Sequence, residues 1–412
     1  MNIERVAVIG LGYIGLPTAA VAASRGVDVI GIDVVPEVVD TINRGEIHIV
    51  EPDLDVVVKA AVATGKLRAT LKPESADVFI LAVPTPFKEG FKPDVDYVEA
   101  AARSIAPVLK AGDLVILEST SPVGTTEQIC QWLAEERGDL SFPHQTGDKA
   151  QISVAHCPER VLPGHVLHEL IANDRVIGGM TRRCAERARD FYKIFVKGEC
   201  ILTDARTAEM AKLTENTFRD VNIAFANELS MICDELGINV WELIALANRH
   251  PRVNILQPGC GVGGHCIAVD PWFIVDKSPK LARVVRTARE VNDSKPHYVI
   301  DKVRVAAERY KAPVIACLGL AFKPDIDDLR ESPALEITKH LAAEKFGTVL
   351  AVEPNVKTLP KKAQGNFELV SLDEALERAD VVVVLVKHKP FVGLSKRLLG
   401  TGKVLIDAVN AG

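Results

Sequence analysis

The chain lacks any apolar run approaching the roughly 18 residues that a membrane-spanning helix needs, so no membrane partner is expected. Its eight cysteines are scattered through 412 residues without a Cys-x-x-Cys pair, which argues against a disulfide framework or a zinc ribbon. Positive charge is not in excess: 49 Lys and Arg stand against 55 Asp and Glu, for a formal net charge of −6. A mildly acidic chain has no electrostatic reason to bind nucleic acid. An anionic substrate would need a local arginine and lysine pocket. No segment is of low complexity. The N-terminus has no signal-peptide layout, because residues 3–9 read as a strand leading directly into a glycine motif. These absences predict a cytoplasmic protein with reduced thiols.

What is there is a chain too long for one ordinary domain, so two or three are expected. Short apolar runs at Arg5–Ile9, Asp28–Ile32, 78–83 and Leu114–Leu117 alternate with helix-period segments such as 17–25 and 95–109. Continuous apolar strands separated by helices predict a parallel sheet covered on both faces. Further strands are expected at 152–155, 175–177 and 200–203, with 142–149 as a loop. Residues 1–200 form the expected first domain.

From Asp204 to Leu236 there is no Gly or Pro. Thr203 or Asp204 can cap the start of a long helix and Gly237 follows its end. Such a helix reads either as a spacer between domains or as a spine carrying a subunit interface. Residues 201–311 are expected as a central helical region. From 312 to 412 the alternation returns, with strands at 314–319, 349–352, 381–386 and Val404–Asp407 and helices from Ser332-Pro333 and at 373–378. Ser before Pro fits an N-cap followed by the first helical position. The expected fold is α/β: two Rossmann-like, doubly wound domains joined by a long central helix.

The opening motif is Gly10-Leu11-Gly12-Tyr13-Ile14-Gly15, between a strand and a helix, with Asp33 ending the next strand. In a dinucleotide site Gly10 permits the turn, Gly12 lets backbone approach the pyrophosphate, and Gly15 allows close helix packing. The helix N-terminus, at Tyr13 and Ile14, offers N–H groups to the phosphates. Asp33 would accept from ribose hydroxyls and repel a 2′-phosphate, which favours NAD over NADP. A purely structural glycine turn is the alternative. Thr85 and Thr120 sit at later strand ends, where cofactor contacts and ordinary turn chemistry are both open.

The most unusual stretch runs from Pro258 to Pro271 and contains Cys260, Gly263, Gly264, His265, Cys266 and Asp270. Cys266, four residues before Asp270, could be a thiol nucleophile beside an acid–base group. The alternative is a buried, inert cysteine, the commoner case for this residue type. A metal site of Cys260, His265, Cys266 and Asp270 matches no structural zinc spacing, and no metal is expected. Lys212 and Asn216 are four apart and share a helix face, catalytic or merely solvated. Cys157-Pro158-Glu159-Arg160 ends a strand, and Glu159 could be a base or a salt-bridged carboxylate.

These segments, in this order and followed by Phe322-Lys323-Pro324 and Arg330-Glu331-Ser332, resemble the UDP-glucose/UDP-N-acetylmannosamine dehydrogenase family along essentially the whole chain. The run from Gly261 to Phe273, with Asn248-Arg249-His250-Pro251-Arg252-Val253-Asn254, is most similar to the N-acetylmannosamine branch. The resemblance implies a four-electron oxidation in which a sugar 6-hydroxymethyl group becomes a carboxylate and two NAD+ are reduced. An aldehyde has no second hydride to give until a nucleophile adds. The resemblance makes that nucleophile Cys266, through a thiohemiacetal and a thioester. It implies Lys212 as oxyanion stabiliser, Asn216 as holder of that oxygen or a water, Asp270 as proton carrier, and Glu159 as the base for hydrolysis.

The resemblance further implies that Arg330 contacts the cofactor. Arg160, Lys212, Asn216, His250, Gly263, Phe322 and Lys323 would line the UDP-sugar site. Arg252 would reach that site from a neighbouring subunit of a homodimer or higher homo-oligomer. The product would feed surface polysaccharide. Two departures stand out: Cys260 where a non-thiol is expected, and a C-terminal 407–412 without the family's basic, glycine-tryptophan ending. Other readings are oxidation of UDP-glucose or UDP-N-acetylglucosamine, a two-electron hydroxyacid dehydrogenase with Cys266 inert, and a non-catalytic NAD sensor.

Overall fold

The computed structural model describes residues 3–162, 164–264, 266–345 and 347–411. The chain divides into two compact units, 1–215 and 216–412.

The first unit contains β1 (Arg5–Ile9), α1 (Gly15–Ser24), β2 (Asp28–Ile32), α2 (Pro36–Asn43), α3 (Leu54–Ala63), β3 (Leu67–Thr70) and β4 (Val78–Leu81). A small hairpin, β5 (Phe87–Lys88) and β6 (Lys92–Pro93), precedes α4 (Asp96–Ile105), β7 (Leu114–Leu117), α5 (Thr125–Glu136) and α6 (Pro143–Thr146). Then come β8 (Ser153–His156), α7 (Val166–Ala172), β9 (Arg175–Gly179), α8 (Arg182–Tyr192), β10 (Cys200–Asp204) and the start of α9 (Ala205–Leu236).

Eight strands pair in the order β10-β9-β8-β7-β4-β1-β2-β3. Alternate strand residues feed two cores, because successive side chains of a strand point to opposite faces. Val6, Val8 and Ile80 join α1 and α8 on one face. Ala7, Ile9 and Phe79 join α4 and α5 on the other. The carboxyl ends of β1, β2, β3, β4, β7 and β8, which run parallel, lie along one edge with the loops that follow them.

Two expectations are corrected. The sheet is not parallel throughout: β9 runs antiparallel to β8 and parallel to β10. An apolar run buried on both faces carries no mark of strand direction, so the reversal is invisible in composition. Residues 142–149 are not a plain loop but α6 followed by a 3-10 turn at Gly147–Lys149. Pro143 occupies the first helical position, where its missing N–H is not needed.

α9 begins and ends as its sequence predicts. Asp204 accepts from the Thr207 N–H at 2.9 Å and from the Thr207 hydroxyl at 2.6 Å. Gly237 takes φ +68° just beyond the helix, the left-handed position that favours glycine.

The second unit holds the rest of α9, then α10 (Val240–Ala247), α11 (Asp270–Lys277) and α12 (Arg283–Ala307). A second α/β layer follows: β11 (Val314–Leu318), α13 (Pro333–Glu344), β12 (Thr348–Val352), β13 (Glu368–Leu369), α14 (Leu372–Arg378), β14 (Val381–Val384), α15 (Leu394–Leu398) and β15 (Val404–Asp407). Its sheet order is β13-β12-β11-β14-β15, with every pairing parallel. The Ser332 hydroxyl caps α13 by accepting from Leu335 N–H. No described helix is long and apolar enough to cross a membrane.

Candidate functional site

In the first unit the turn after β1 is fixed by close packing at two of its three glycines. A Cβ on Gly10 would lie 2.5 Å from the Ala82 carbonyl oxygen, and one on Gly15 only 1.8 Å from the Gly10 oxygen. A Cβ on Gly12 would meet nothing within 4 Å. Packing therefore explains Gly10 and Gly15. The space over Gly12 is open, as the close approach of a pyrophosphate requires. Asp33, half-buried, accepts from Leu11 N–H through Oδ2 and from Val35 N–H through Oδ1, both at 3.0 Å. Each oxygen keeps a second lone pair for a ribose hydroxyl. Tyr13 and Ile14 lie at the start of α1, Tyr13 exposed.

The two threonines proposed from strand ends are joined: the Thr85 hydroxyl donates to the Thr120 carbonyl at 2.6 Å. The Ser119 hydroxyl bonds the Val83 carbonyl at 2.7 Å. The loops after β4 and β7 are thus one cross-linked ledge.

The Cys-Pro-Glu-Arg segment follows β8. Glu159 is 8% exposed. Its Oε1 accepts from Arg160 N–H at 2.7 Å, and its Oε2 lies 2.7 Å from Arg175 Nη1. That second contact is an ion pair without hydrogen-bond alignment, since both atoms lack an aligned partner. Arg175 also lies 3.7 Å from Glu118 and over the Tyr192 ring. Glu118 accepts from the Thr18 hydroxyl of α1 and from Tyr192 OH. Burial, reinforced by the Glu159 charge and opposed by Arg175, pushes the Glu118 carboxyl up to about 7. Arg160, expected at the substrate, pairs with Glu215 of α9 at 2.7 Å. Lys212 is half-buried on the same helix.

In the second unit Cys266 is exposed at the head of one turn of chain. Its carbonyl accepts from Val269 and Asp270 N–H at 3.0 and 2.9 Å. Asp270 opens α11, is 4% exposed, and accepts from Asn216 Nδ2 at 2.5 Å. A thiol and a carboxyl group are therefore carried by one hydrogen-bonded turn, and an amide by the helix beside it. Among the described residues no cluster suits a metal ion. His265 lies outside the described residues. Cys260 is buried, its thiol donates to the Leu385 carbonyl, and burial pushes that thiol up to about 12. It is a core side chain.

The glycines before Cys266 are packing glycines. A Cβ on Gly263 would fall 2.4 Å from the Glu331 oxygen, and one on Gly264 3.2 Å from the Phe322 ring. Gly263 and Phe322, both expected at the substrate, are thus brought together. Lys323 is exposed, 5.8 Å from that ring. Arg330 is exposed and held by Asp328 through bonds of 2.9 and 2.7 Å. His250 and Arg252 share an exposed turn in which Arg252 N–H donates to His250 Nδ1.

Sequence reasoning missed the supports beneath these groups. Asn227 accepts from Gly259 N–H and donates to Asn292, which in turn donates to Asp220. The buried Arg289 pairs with Asp220 at 2.6 Å. This network ties the glycine-rich stretch to α9 and α12. The available signal was the spacing of seven between Asp220 and Asn227, which puts both on one helix face.

The comparisons agree along the chain. Residues 4–196 match the NAD binding domain of the UDP-glucose/GDP-mannose dehydrogenase family, 206–294 its central domain and 316–411 its UDP binding domain. An NDP-N-acetyl-D-galactosaminuronic acid dehydrogenase of Ralstonia nicotianae is 66% identical over 407 residues, covering 99% of this chain and 96% of that protein. A UDP-N-acetyl-D-mannosamine dehydrogenase of Campylobacter jejuni is 66% identical over 392 residues, covering 94% and 96%. The solved structure of a UDP-D-ManNAc dehydrogenase from Pyrococcus horikoshii is 40% identical, with a TM-score of 0.89 over 99% of this chain and 96% of that one. The first unit is an NAD binding domain by this match, and the chain belongs to the UDP-glucose/GDP-mannose dehydrogenase family.

Proposed function

We propose that the protein oxidises UDP-N-acetyl-D-mannosamine at its 6-hydroxymethyl group to the uronate. The observation that carries the reading is the exposed Cys266 on the turn that presents Asp270 and Asn216. NAD+, when bound at Gly12 and Asp33, supplies the hydride acceptor twice per turnover. In the first step the alcohol gives a hydride and a proton and becomes an aldehyde. The Cys266 sulfur then adds to the aldehyde carbon, and Asp270 relays the proton that the new hydroxyl takes up. The thiohemiacetal loses its hydride and hydroxyl proton and becomes a thioester. Water cleaves the C–S bond, giving the carboxylic acid and restoring the thiol.

Lys212 stabilises the oxygen charge that develops in these steps, and an oriented cation in a dry site is worth far more there than in water. Asn216 holds the oxygen or an ordered water. Glu159 is engaged by Arg175 and by its neighbouring N–H. In the proposal it orients the hydrolytic water and acts as base only if Arg175 releases it. Arg330 serves the cofactor, while Arg160, His250, Gly263, Phe322 and Lys323 belong to the sugar-nucleotide site. The assignment of residues 1–200, 201–311 and 312–412 to cofactor, central and UDP-sugar domains is part of the same reading.

The proposal includes a homodimer. Phe218 and Phe225 of α9 are 69% and 50% exposed, with Ile232 and Leu236 exposed seven and eleven residues after Phe225. Exposed aromatics along one helix face mark an interaction surface. Arg252 then reaches the partner's site. NAD+ and a reactive thiol call for a reducing compartment, so the enzyme is read as cytoplasmic.

The Cys266→Ser variant tests the chemistry. It should still form NADH in the first step and stop before acid release. Undiminished acid formation would make Cys266 inert. A second reading, oxidation of an N-acetylgalactosamine nucleotide, is favoured by the name of the Ralstonia relative. Comparing kcat/KM on the two sugar nucleotides separates them.

A further inference from the structure

Lysine presents its charge on a flexible four-carbon stem, so a catalytic lysine is placed only as well as its backbone is. Lys212 stands three residues after Glu209 and three before Glu215 on α9. Three residues of α-helix turn the chain by about 300° and advance it by about 4.5 Å. The two carboxylates therefore flank the lysine, about 60° to either side and one step below and above it.

Both carboxylates are fastened within the first unit. Glu209 is 1% exposed. Its Oε2 accepts from Gly124 N–H at 2.6 Å, and its Oε1 accepts from Thr126 N–H at 2.8 Å and from the Thr126 hydroxyl at 2.6 Å. These are the open N–H groups at the start of α5, which has no side-chain cap of its own. A carboxylate is the natural partner of a helix N-terminus. Gly124 ends the loop that carries Thr120. Glu215 pairs with Arg160 at 2.7 Å, and Arg160 N–H is held by Glu159. The first turns of α9 are thus tied on one side to the loop after β7 and on the other to the loop after β8.

We propose that Glu209 and Glu215 are positioning residues that strap α9 to these two strand-end loops and so set the place of Lys212. The idea rests on the catalytic reading of Lys212 given above. A group that acts only through another loses its effect when that other is removed.

The test is kcat for NADH formation in Glu209→Gln, Lys212→Ala and the double variant, with thermal unfolding to verify folding. A misplacement of 1 Å can lower rate about a hundredfold. Glu209→Gln should lower kcat by roughly tenfold to a hundredfold, with KM for both substrates within about threefold. In the Lys212→Ala background the same change should cost less than about twofold. An equal fold loss in both backgrounds, or no loss in the native one, overturns the strap alone. Full kcat in Lys212→Ala overturns the catalytic reading of Lys212 and the strap with it. If Glu209→Gln does not fold, Glu215→Gln, at the half-exposed anchor, gives the same cycle with the same criteria.

Discussion

In the first unit Gly10 follows β1 at φ +90° and its N–H donates to the Ile32 carbonyl at 2.8 Å. In the second, Gly319 follows β11 at φ +94° and donates to the Val352 carbonyl at 2.8 Å. In each, the N–H of the following leucine meets an acid from the end of the second strand: Leu11 meets Asp33 at 3.0 Å, and Leu320 meets Glu353 at 2.8 Å. The same backbone turn then diverges in chemistry. Asp33 is half-buried, and each of its oxygens accepts one N–H bond. Glu353 has a fully buried side chain and also binds Ala321 N–H, Asn355 N–H and His388 Nε2. His388 Nδ1 accepts from Asp325 N–H at 2.8 Å, which leaves the ring proton on Nε2, facing Glu353. Where the first turn has an open Gly12, the second has Ala321. One acid keeps acceptor capacity to spare and the other is used inside the fold.

Removing the two acids should separate these roles. Glu353→Ala strands two buried N–H groups and an imidazole, each unsatisfied group costing about 1–3 kcal/mol. The second unit should lose about 3 kcal/mol or more in thermal or urea unfolding, with NAD+ affinity unchanged. Asp33→Ala should show the reverse, weakening NAD+ while stability moves by less than about 1 kcal/mol. Equal stability losses would erase the contrast.

Gly12→Val sharpens it. A Cβ at this position meets nothing within 4 Å, so stability should hold within about 1 kcal/mol. The pyrophosphate would lose its approach, and the Kd for NAD+ measured by calorimetry should rise about a hundredfold, near 2.8 kcal/mol. An unchanged Kd would mean that the open space over Gly12 is not the phosphate site.

The smallest effect concerns pH, and its sign differs between the units. Glu118 in the first unit is raised from its ordinary value to about 7, first by burial. A carboxyl that stays protonated in the native state while the unfolded chain ionises makes stability fall as pH rises from about 4.5 to 7. Glu353 in the second unit is opposed by burial, but its bonds with His388, Leu320 and Asn355 leave it lowered. Its contribution is present above the unfolded value and is lost as pH falls through the folded one. Glu118→Gln should therefore flatten the decline between pH 5 and 8 by about 1 kcal/mol. A slope identical to the native protein's would remove Glu118 from the account.

The first turn was legible in sequence because Gly10 and Gly15 answer to a local steric requirement and Asp33 to the N–H groups beside it. The caps of α9 at Asp204 and Gly237 were legible for the same reason. The second turn was recognisable as a strand and helix pattern, yet its Glu353–His388 pair was not, because the partners are 35 residues apart and meet only by folding. Strand β3, Leu67–Thr70, has only alternate apolar residues and so offers no continuous run, and the reversal of β9 leaves no pattern to read. At the site, Cys266, Asp270 and Asn216 were named from sequence and two of them are bonded. The anchors Glu209, Glu215, Arg175 and Glu118 were missed because an acid or arginine on a helix or strand end reads as a solvated charge until its burial is known.

In the proposed mechanism an exposed thiol lets one sugar nucleotide give up two hydrides. The direct measurement is NADH formed per UDP-N-acetyl-D-mannosamine consumed to completion, with the uronate identified as product. Two NADH per sugar nucleotide are expected; a ratio of one, with an aldehyde as product, would leave Cys266 without a role in the reaction.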